Sequence, residues 1–216
     1  MKIGVFDSGI GGLSVANAIQ KAIPDIEILY KEDKQNLPYG TKSPELLLEL
    51  VRPILEQMVT DGCRVIVIAC NTVTTTIITE LREVITVPLI GMEPMVKPAA
   101  EQTKSGVIAV FATPTTLASA RYSYLKQTYA DGTTVIEPDC SSWALMVERK
   151  SVDEAAIAAN VSQALIGGAD MIVLGCTHYH WIEELIIKLA GDKAQVIQPE
   201  QPVIRQLQTV LDQLPK

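Results

Sequence analysis

Two cysteines with matching local surroundings carry the clearest chemical signal in this 216-residue sequence. Cys70 ends the apolar run Val65–Ala69, and Cys176 ends the apolar run Met171–Gly175. Small polar residues and then a helical pattern follow each cysteine, which predicts that both sulfurs lie near helix N-termini. Free N–H groups and the helix dipole favour a thiolate there and lower the thiol pKa. We therefore expect two reactive thiols.

The other two cysteines, Cys63 and Cys140, have no such matching partner and are interpreted as structural. The sequence has no CxxC spacing, and His178 and His180 are its only histidines. This composition argues against a structural zinc site, and no metal is expected.

The loop Asp7-Ser8-Gly9-Ile10-Gly11-Gly12 follows the first apolar run and precedes a helical pattern. Its glycines allow backbone N–H groups to approach an anion, with Ser8 as a further donor. Asp7 is a candidate partner for a substrate ammonium group or for the Cys70 proton, and the alternative is an ordinary helix N-cap. The loop does not fit GxGxxG and no GxxxxGK[ST] motif occurs, so a nucleotide site is disfavoured.

Four further residues are candidates for the same site. His178 follows Cys176 by two residues, near enough to exchange a proton with a substrate or with the thiol. Glu148 is a candidate anchor for His178, or else a solvated helix charge. Tyr39 and Gly40 belong to a Pro-Tyr-Gly turn that either points into a cleft or lies on the surface.

Short β-branched runs alternate with helical patterns along the whole chain, which predicts a doubly wound, flavodoxin-like α/β fold with parallel sheets. The expected strands are Lys2–Phe6, Ile26–Tyr30, Arg64–Ala69, Val87–Ile90, Gly106–Phe111, Thr133–Ile136, Met171–Gly175 and Gln195–Ile197. The expected helices are Leu13–Ala22, Pro44–Thr60, Thr74–Val84, Thr115–Tyr129, Val152–Gly167, Trp181–Leu189 and Val203–Leu214.

The first and second halves of the sequence also resemble each other. Ile3–Phe6 matches Ile108–Phe111, and the run that ends at Cys70 matches the run that ends at Cys176. We expect two pseudo-symmetric halves, residues 1–93 and 94–199, with residues 200–216 returning to the first half. In such a fold the ligand lies at the carboxyl ends of the strands, here between the halves.

The composition and net charge of the sequence argue against nucleic acid and membranes as binding partners. The net charge of -7 provides no basic field for nucleic acid, and the apolar runs are too short to span a membrane. Free cysteines fit a cytoplasmic setting. The sequence leaves open whether the chain forms a homodimer.

Four motifs together resemble the glutamate racemases of bacterial cell-wall synthesis: Phe6-Asp-Ser-Gly-Ile-Gly-Gly-Leu-Ser14, Pro38-Tyr-Gly40, Ala69-Cys-Asn-Thr72 and Gly175-Cys-Thr-His-Tyr179. The resemblance implies that Cys70 takes the proton from D-glutamate and Cys176 from L-glutamate, assisted by Asp7, Glu148 and His178. It also implies substrate contacts from Asp7, Ser8, Tyr39, Gly40, Asn71, Thr72, Thr113, Thr116, Thr177 and His178. The chain departs from the family pattern at His180, where proline is usual, and at Gln198-Pro199-Glu200, where an aspartate-containing turn is usual.

Racemisation requires proton removal from one face of Cα and proton return on the other, which two opposed thiols supply. Pyridoxal phosphate needs a Schiff-base lysine, and no lysine lies in a predicted site loop, so no cofactor is expected. Three alternatives stay open: an aspartate racemase, a hydrolase with Cys176 as nucleophile and His178 as base, and an amino-acid-binding protein with little turnover. The second motif of aspartate racemases resembles Gly-Cys-Thr-Glu. This chain has His178 at the position of that Glu, which favours glutamate over aspartate as the substrate.

Overall fold

A computed structural model of the chain describes residues 1–214 and contains two four-stranded parallel sheets. The first sheet consists of β1 (Lys2–Asp7), β2 (Glu27–Glu32), β3 (Ile66–Ile68) and β4 (Leu89–Gly91), in the order β2-β1-β3-β4. The second consists of β5 (Val107–Ala112), β6 (Thr134–Ile136), β7 (Met171–Gly175) and β8 (Gln195–Ile197), in the order β6-β5-β7-β8. The predicted α/β class with parallel sheets is confirmed, and both sheets have the same strand order.

Ten α-helices connect and cover the strands within the described residues. They are α1 (Gly12–Ala22), α2 (Pro44–Thr60), α3 (Asn71–Val84), α4 (Val96–Gln102), α5 (Pro114–Ala118), α6 (Ala120–Tyr129), α7 (Trp143–Glu148), α8 (Glu154–Ile166), α9 (Glu183–Ala190) and α10 (Glu200–Gln213). None of the helices in residues 1–214 has the length and apolar character needed to cross a bilayer.

Besides shifts of one to three residues at helix ends, the helices differ from the sequence prediction in three places. The single helix expected over Thr115–Tyr129 is wrong, because Ser119 has extended backbone angles and divides it into α5 and α6. Ser119 Oγ accepts a hydrogen bond from Tyr122 N at 3.1 Å, so it caps the second helix. The helices α4 and α7 were not predicted, since each has fewer than two full turns and shows no readable periodicity.

Successive residues of each central strand face opposite sides of its sheet. In β1, Phe6 belongs to one apolar cluster, whereas Ile3 and Val5 belong to the cluster on the other side. Such alternation is the two-residue period of a strand with both faces covered. Each sheet is therefore fixed from both faces, which gives its carboxyl edge a defined position.

The last helix, α10, follows the second sheet in the chain but packs against the first. Val203, Ile204 and Leu207 lie in the apolar cluster that contains Ile3 and Val15. Each of these three side chains is at most 5% exposed, so the contact is part of a core rather than a surface association.

Candidate active site

A single pocket lies at the carboxyl ends of both sheets, between the loops that follow β1, β3, β5 and β7. Its walls come from both halves of the chain: Ser8, Leu37, Pro38, Tyr39, Gly40, Thr41, Cys70, Asn71, Thr72, Thr113, Pro114, Ser141, Ala144, Leu145, Glu148, Cys176, Thr177 and His178. The structure thus brings together the site residues predicted from the sequence, except that Asp7 and Thr116 lie behind the wall. Parallel strands converge in this way because their ends share one edge of the sheet.

Cys70 is the residue that precedes α3, and its sulfur lies 3.8 Å from Ser8 Oγ. Burial and the nearby Asp7 carboxylate raise the pKa of this thiol, although hydrogen bonds from Val73 N–H and Ser8 act in the opposite direction. The helix N-terminus lowers this pKa through Val73 N–H, as expected, but desolvation of the thiolate and the charge of Asp7 outweigh it, so the net direction is upward. At neutral pH the raised pKa makes Cys70 a neutral thiol that can donate a proton.

Cys176 precedes the 3₁₀ turn Thr177–Ile182 rather than an α-helix, and its sulfur lies 3.7 Å from His178 Nδ1. Burial lowers the pKa of His178, but hydrogen bonds with Cys176 and Glu148 and the charge of Asp7 outweigh it and raise the pKa well above 6.5. The two thiols therefore have different neighbours: a carboxylate acts on Cys70 and an imidazolium on Cys176.

Glu148, at the end of α7, holds the far side of the His178 ring. Its Oε1 lies 2.7 Å from His178 Nε2 and also accepts a hydrogen bond of 2.7 Å from Ile10 N. Burial raises the pKa of Glu148, but these hydrogen bonds and the charge of His178 produce a net lowering. The carboxylate is thus ionised and joins the second half of the chain to the loop after β1.

Asp7 is fully buried behind the pocket wall. Its Oδ2 accepts hydrogen bonds from Gly12 N at 2.7 Å and Thr177 Oγ1 at 3.1 Å, and Oδ1 has no partner among the described residues. Burial raises the pKa of Asp7, partly offset by His178 and by its hydrogen-bond donors. Asp7 accepts the first helical N–H of α1, although the N-cap residue of that helix is Gly11 and not Asp7, and it also contacts the Cys176 loop.

Hydroxyl and amide groups form the remaining polar wall. Thr113 Oγ1 lies 3.0 Å from both Thr72 Oγ1 and Thr116 Oγ1, so Thr116 meets the pocket through Thr113. Asn71 is 2% exposed, and neither its Nδ2 nor its Oδ1 has a partner among residues 1–214. A buried amide without partners is costly unless a ligand supplies them.

Tyr39 is buried and lines the pocket, as the cleft alternative predicts, and does not lie in an open surface turn. The hydroxyl donates a hydrogen bond of 2.6 Å to Asp33 Oδ2, which fixes the turn that contains Gly40. No sequence pattern pointed to Asp33, to the α7 residues Ala144 and Leu145, or to Ser141 in the loop before that helix. Several lining residues were therefore missed: Leu37, Pro38, Thr41, Pro114, Ser141, Ala144 and Leu145.

The model of the Asp/Glu/Hydantoin racemase family matches residues 4–207. The chain belongs to this family. Among the family's curated members, the glutamate racemase of Ectopseudomonas mendocina is 39% identical over 216 residues, covering 98% of this chain and 82% of the relative. The glutamate racemase of Pseudomonas putida is 40% identical over 214 residues, covering 97% and 81%.

Solved racemase structures share the fold. The crystal structure of Escherichia coli glutamate racemase, in complex with L-glutamate and the activator UDP-MurNAc-Ala, has a TM-score of 0.92 and 27% identity, covering 100% of this chain and 84% of that one. The Francisella tularensis glutamate racemase, in complex with D-glutamate, has a TM-score of 0.82 and 28% identity, covering 98% and 81%.

Proposed function

We propose that this chain is an isomerase that interconverts L-glutamate and D-glutamate by proton transfer between Cα and two cysteines, without a cofactor. The observation that carries the proposal is that Cys70 and Cys176, at equivalent strand ends of two sheets, line one pocket. The product D-glutamate would enter peptidoglycan synthesis. We place the enzyme in the cytoplasm, where its four free cysteines stay reduced.

In the direction from L-glutamate, Cys176 removes the Cα proton and Cys70 returns a proton to the opposite face. The reverse direction starts from the opposite protonation state, in which the Cys70 thiolate removes the Cα proton and the Cys176 thiol returns one. The imidazolium of His178 stabilises the negative charge that the Cys176 sulfur carries after losing its proton, and the raised pKa of Cys70 keeps that thiol protonated for donation. Glu148 assists by holding His178, and Asp7 assists through Thr177.

The substrate carboxylates are held by neutral donors. Ser8, Asn71, Thr72 and Thr177 offer hydroxyl or amide groups, and Tyr39, Gly40, Thr113 and His178 complete the binding site, with Thr116 holding Thr113 from behind. Donors that strengthen as charge develops on the α-carboxylate stabilise the carbanion-like transition state. The residues of this site come from both halves of the chain.

An exchange assay tests the proposal. The purified chain is incubated in deuterated water with each enantiomer of glutamate and of aspartate, and Cα deuteration and optical rotation are followed. We expect glutamate to exchange and racemise without added cofactor. Stabilisation by glutamate without exchange would identify a binding protein, whereas turnover that appears only with pyridoxal phosphate or a metal would contradict the mechanism.

Cysteine variants test the assignment of the two bases. We expect Cys70→Ser and Cys176→Ser each to lower racemisation by about a thousandfold, since a serine hydroxyl is too weak an acid at neutral pH. Cys63→Ser and Cys140→Ser are matched controls, because both cysteines are buried but lie outside the pocket. Near-normal racemisation by either of the first two variants would contradict the two-base scheme.

A further inference from the structure

His180 lies in the same 3₁₀ turn as His178 but does not line the pocket. Its Nδ1 lies 3.1 Å from Ser14 Oγ on α1 and 3.2 Å from Glu200 Oε1 at the start of α10. The side chains of His180 and Glu200 are 2% and 15% exposed. Thus the two positions at which the sequence departs from the glutamate racemase pattern meet in one buried contact.

The hydrogen bonds around His180 define its role as a donor. Ser14 Oγ lies 3.0 Å from Gly11 O, which takes the hydroxyl proton, so Nδ1–H of His180 donates to Glu200. His180 Nε2 is buried without a partner among the described residues.

Glu200 is itself fixed in place. Gln198 Oε1 accepts a hydrogen bond of 2.7 Å from Glu200 N, and Gln198 Nε2 donates to Glu200 Oε2 at 3.3 Å. The helix that Glu200 begins is anchored by Val203 in the core of the first sheet. The turn that follows Cys176 is therefore tied to the opposite half of the molecule.

We propose that His180 and Glu200 are positioning residues that hold Cys176 and His178 at the substrate. The inference rests on the proposed racemase function. The turn is stiff, since Tyr179 N donates to Cys176 O at 3.0 Å, and a shift at His180 therefore moves both groups. Near-attack geometry is sensitive to such shifts, whose cost reaches about a hundredfold for a displacement of about 1 Å.

The structure predicts that only one of the two proton transfers depends on this contact. Neither His180 nor Glu200 contacts Cys70 in the described residues, so their loss slows transfer at Cys176 alone. With Cα-deuterated substrates, the isotope effect on turnover should then rise for L-glutamate, whose deuteron Cys176 removes, and fall for D-glutamate. A general loss of stability would alter both directions alike.

The experiment compares Glu200→Ala, Glu200→Gln and wild type by turnover and by isotope effects in both directions. We expect Glu200→Ala to lower kcat about tenfold, as for the loss of one hydrogen bond to a charged group, with opposite isotope changes for the two enantiomers. Glu200→Gln retains an acceptor for His180 and should restore kcat to within about threefold of wild type. Glu137→Ala is the control, because Glu137 is a partly buried acid bonded to Tyr122 and Lys126 away from the pocket.

Equal isotope changes in both directions, or unchanged kcat in a folded Glu200→Ala, would overturn the inference. Amide hydrogen exchange of residues 177–182 in the ligand-free protein gives a test that does not need turnover. It should be about tenfold faster in Glu200→Ala than in wild type or Glu137→Ala, and unchanged exchange would also overturn the inference. Failure of wild type to racemise glutamate would instead contradict the proposed function. The amide hydrogen exchange of residues 177–182 would then still test the positioning role by itself.

Discussion

The His178 ring has a partner at each nitrogen: Cys176 at Nδ1 and Glu148 at Nε2. A protonated ring donates a hydrogen bond from each nitrogen, so both partners fix its position. A neutral ring has one N–H and could donate to only one of the two. Cys70 has no such cation among its described neighbours and lies in the field of Asp7. The pocket is therefore chemically asymmetric although its two cysteines occupy equivalent strand ends.

We expect the free energy of unfolding to vary with pH because of the charged His178–Glu148 pair. The raised pKa of His178 stabilises the fold fully below pH 6.5, and this stabilisation is lost as pH rises through the raised value. The lowered pKa of Glu148 stabilises the fold above pH 4.5 and is lost as pH falls. We expect Glu148→Gln to lower the free energy of unfolding by roughly 1–3 kcal/mol between these limits, and by less at alkaline pH.

Urea unfolding of wild type and Glu148→Gln at about pH 5.5 and about pH 9.5 measures this difference. Glu56→Gln serves as the control, because Glu56 pairs with Arg52 on an exposed helix face and no histidine is involved. An effect of Glu148→Gln that does not shrink between the two pH values would show that His178 carries no charge.

We expect the Asn71 side chain to contribute to glutamate binding and to lower the stability of the chain. Replacement by leucine keeps the approximate volume and removes two buried polar atoms that have no partner in the described structure. We expect Asn71→Leu to stabilise the ligand-free chain by about 1 kcal/mol and to raise KM for glutamate at least tenfold. Thermal unfolding and steady-state kinetics measure the two effects, and destabilisation with normal KM would place the amide outside the binding site.

At the scale of elements, the loop between β1 and α1 passes against the turn after β7 with little spare room. A Cβ on Gly11 would lie 2.6 Å from Thr177 Oγ1 and 2.7 Å from His178 N, and a Cβ on Gly9 would lie 3.0 Å from His178 Nε2. Both loops carry groups of the site. Glycine is thus required here for close approach rather than for unusual backbone angles.

Gly11→Ala should impair catalysis while the fold is retained. Its helical backbone angles suit alanine, so the expected effect comes from pushing the turn that carries His178 away from the first half. We expect kcat to fall roughly 10- to 100-fold with a circular dichroism spectrum like that of wild type. Asn17→Ala on the exposed face of α1 is the matched control, and equal activity of the two variants would disprove the steric argument.

The sequence predicted the elements whose pattern is local and repeated. Alternating apolar runs located every strand, and the matching ends at Cys70 and Cys176 predicted that the two sulfurs share a pocket. The two short helices α4 and α7 were missed, and so were the pocket residues Ala144 and Leu145 on α7, although Glu148 at the end of that helix was predicted. The contact of His180 with Glu200 depends on where α10 packs in three dimensions, which no local pattern expresses.

At the scale of the molecule, the two sheets meet through polar contacts around the pocket. Glu148 binds Ile10 N, Thr177 binds Asp7, and Trp181 Nε1 donates to Ile10 O at 3.2 Å. We propose residues 1–93 and 94–199 as the two halves, with the segment from residue 200 belonging to the first. A ligand that bridges the halves would stabilise both.

Glutamate should therefore raise the melting temperature of the whole chain in one transition. At about one hundred times Kd, binding adds ~2.7 kcal/mol, which raises Tm by roughly 5–10 °C for a protein of this size. Differential scanning calorimetry with L-glutamate, D-glutamate and lysine provides the measurement and its control. A rise in the transition of one half alone would argue against a ligand held between the halves.

The packing of α10 on the first sheet also sets an order of events during synthesis on the ribosome. The core around Ile3 and Val15 stays incomplete until Val203 and Leu207 have been made, although its strands are the first to emerge. By then every strand of the second sheet has been translated. The half that is begun first is thus the half that is finished last, and until that moment it exposes an apolar face that chaperones could bind.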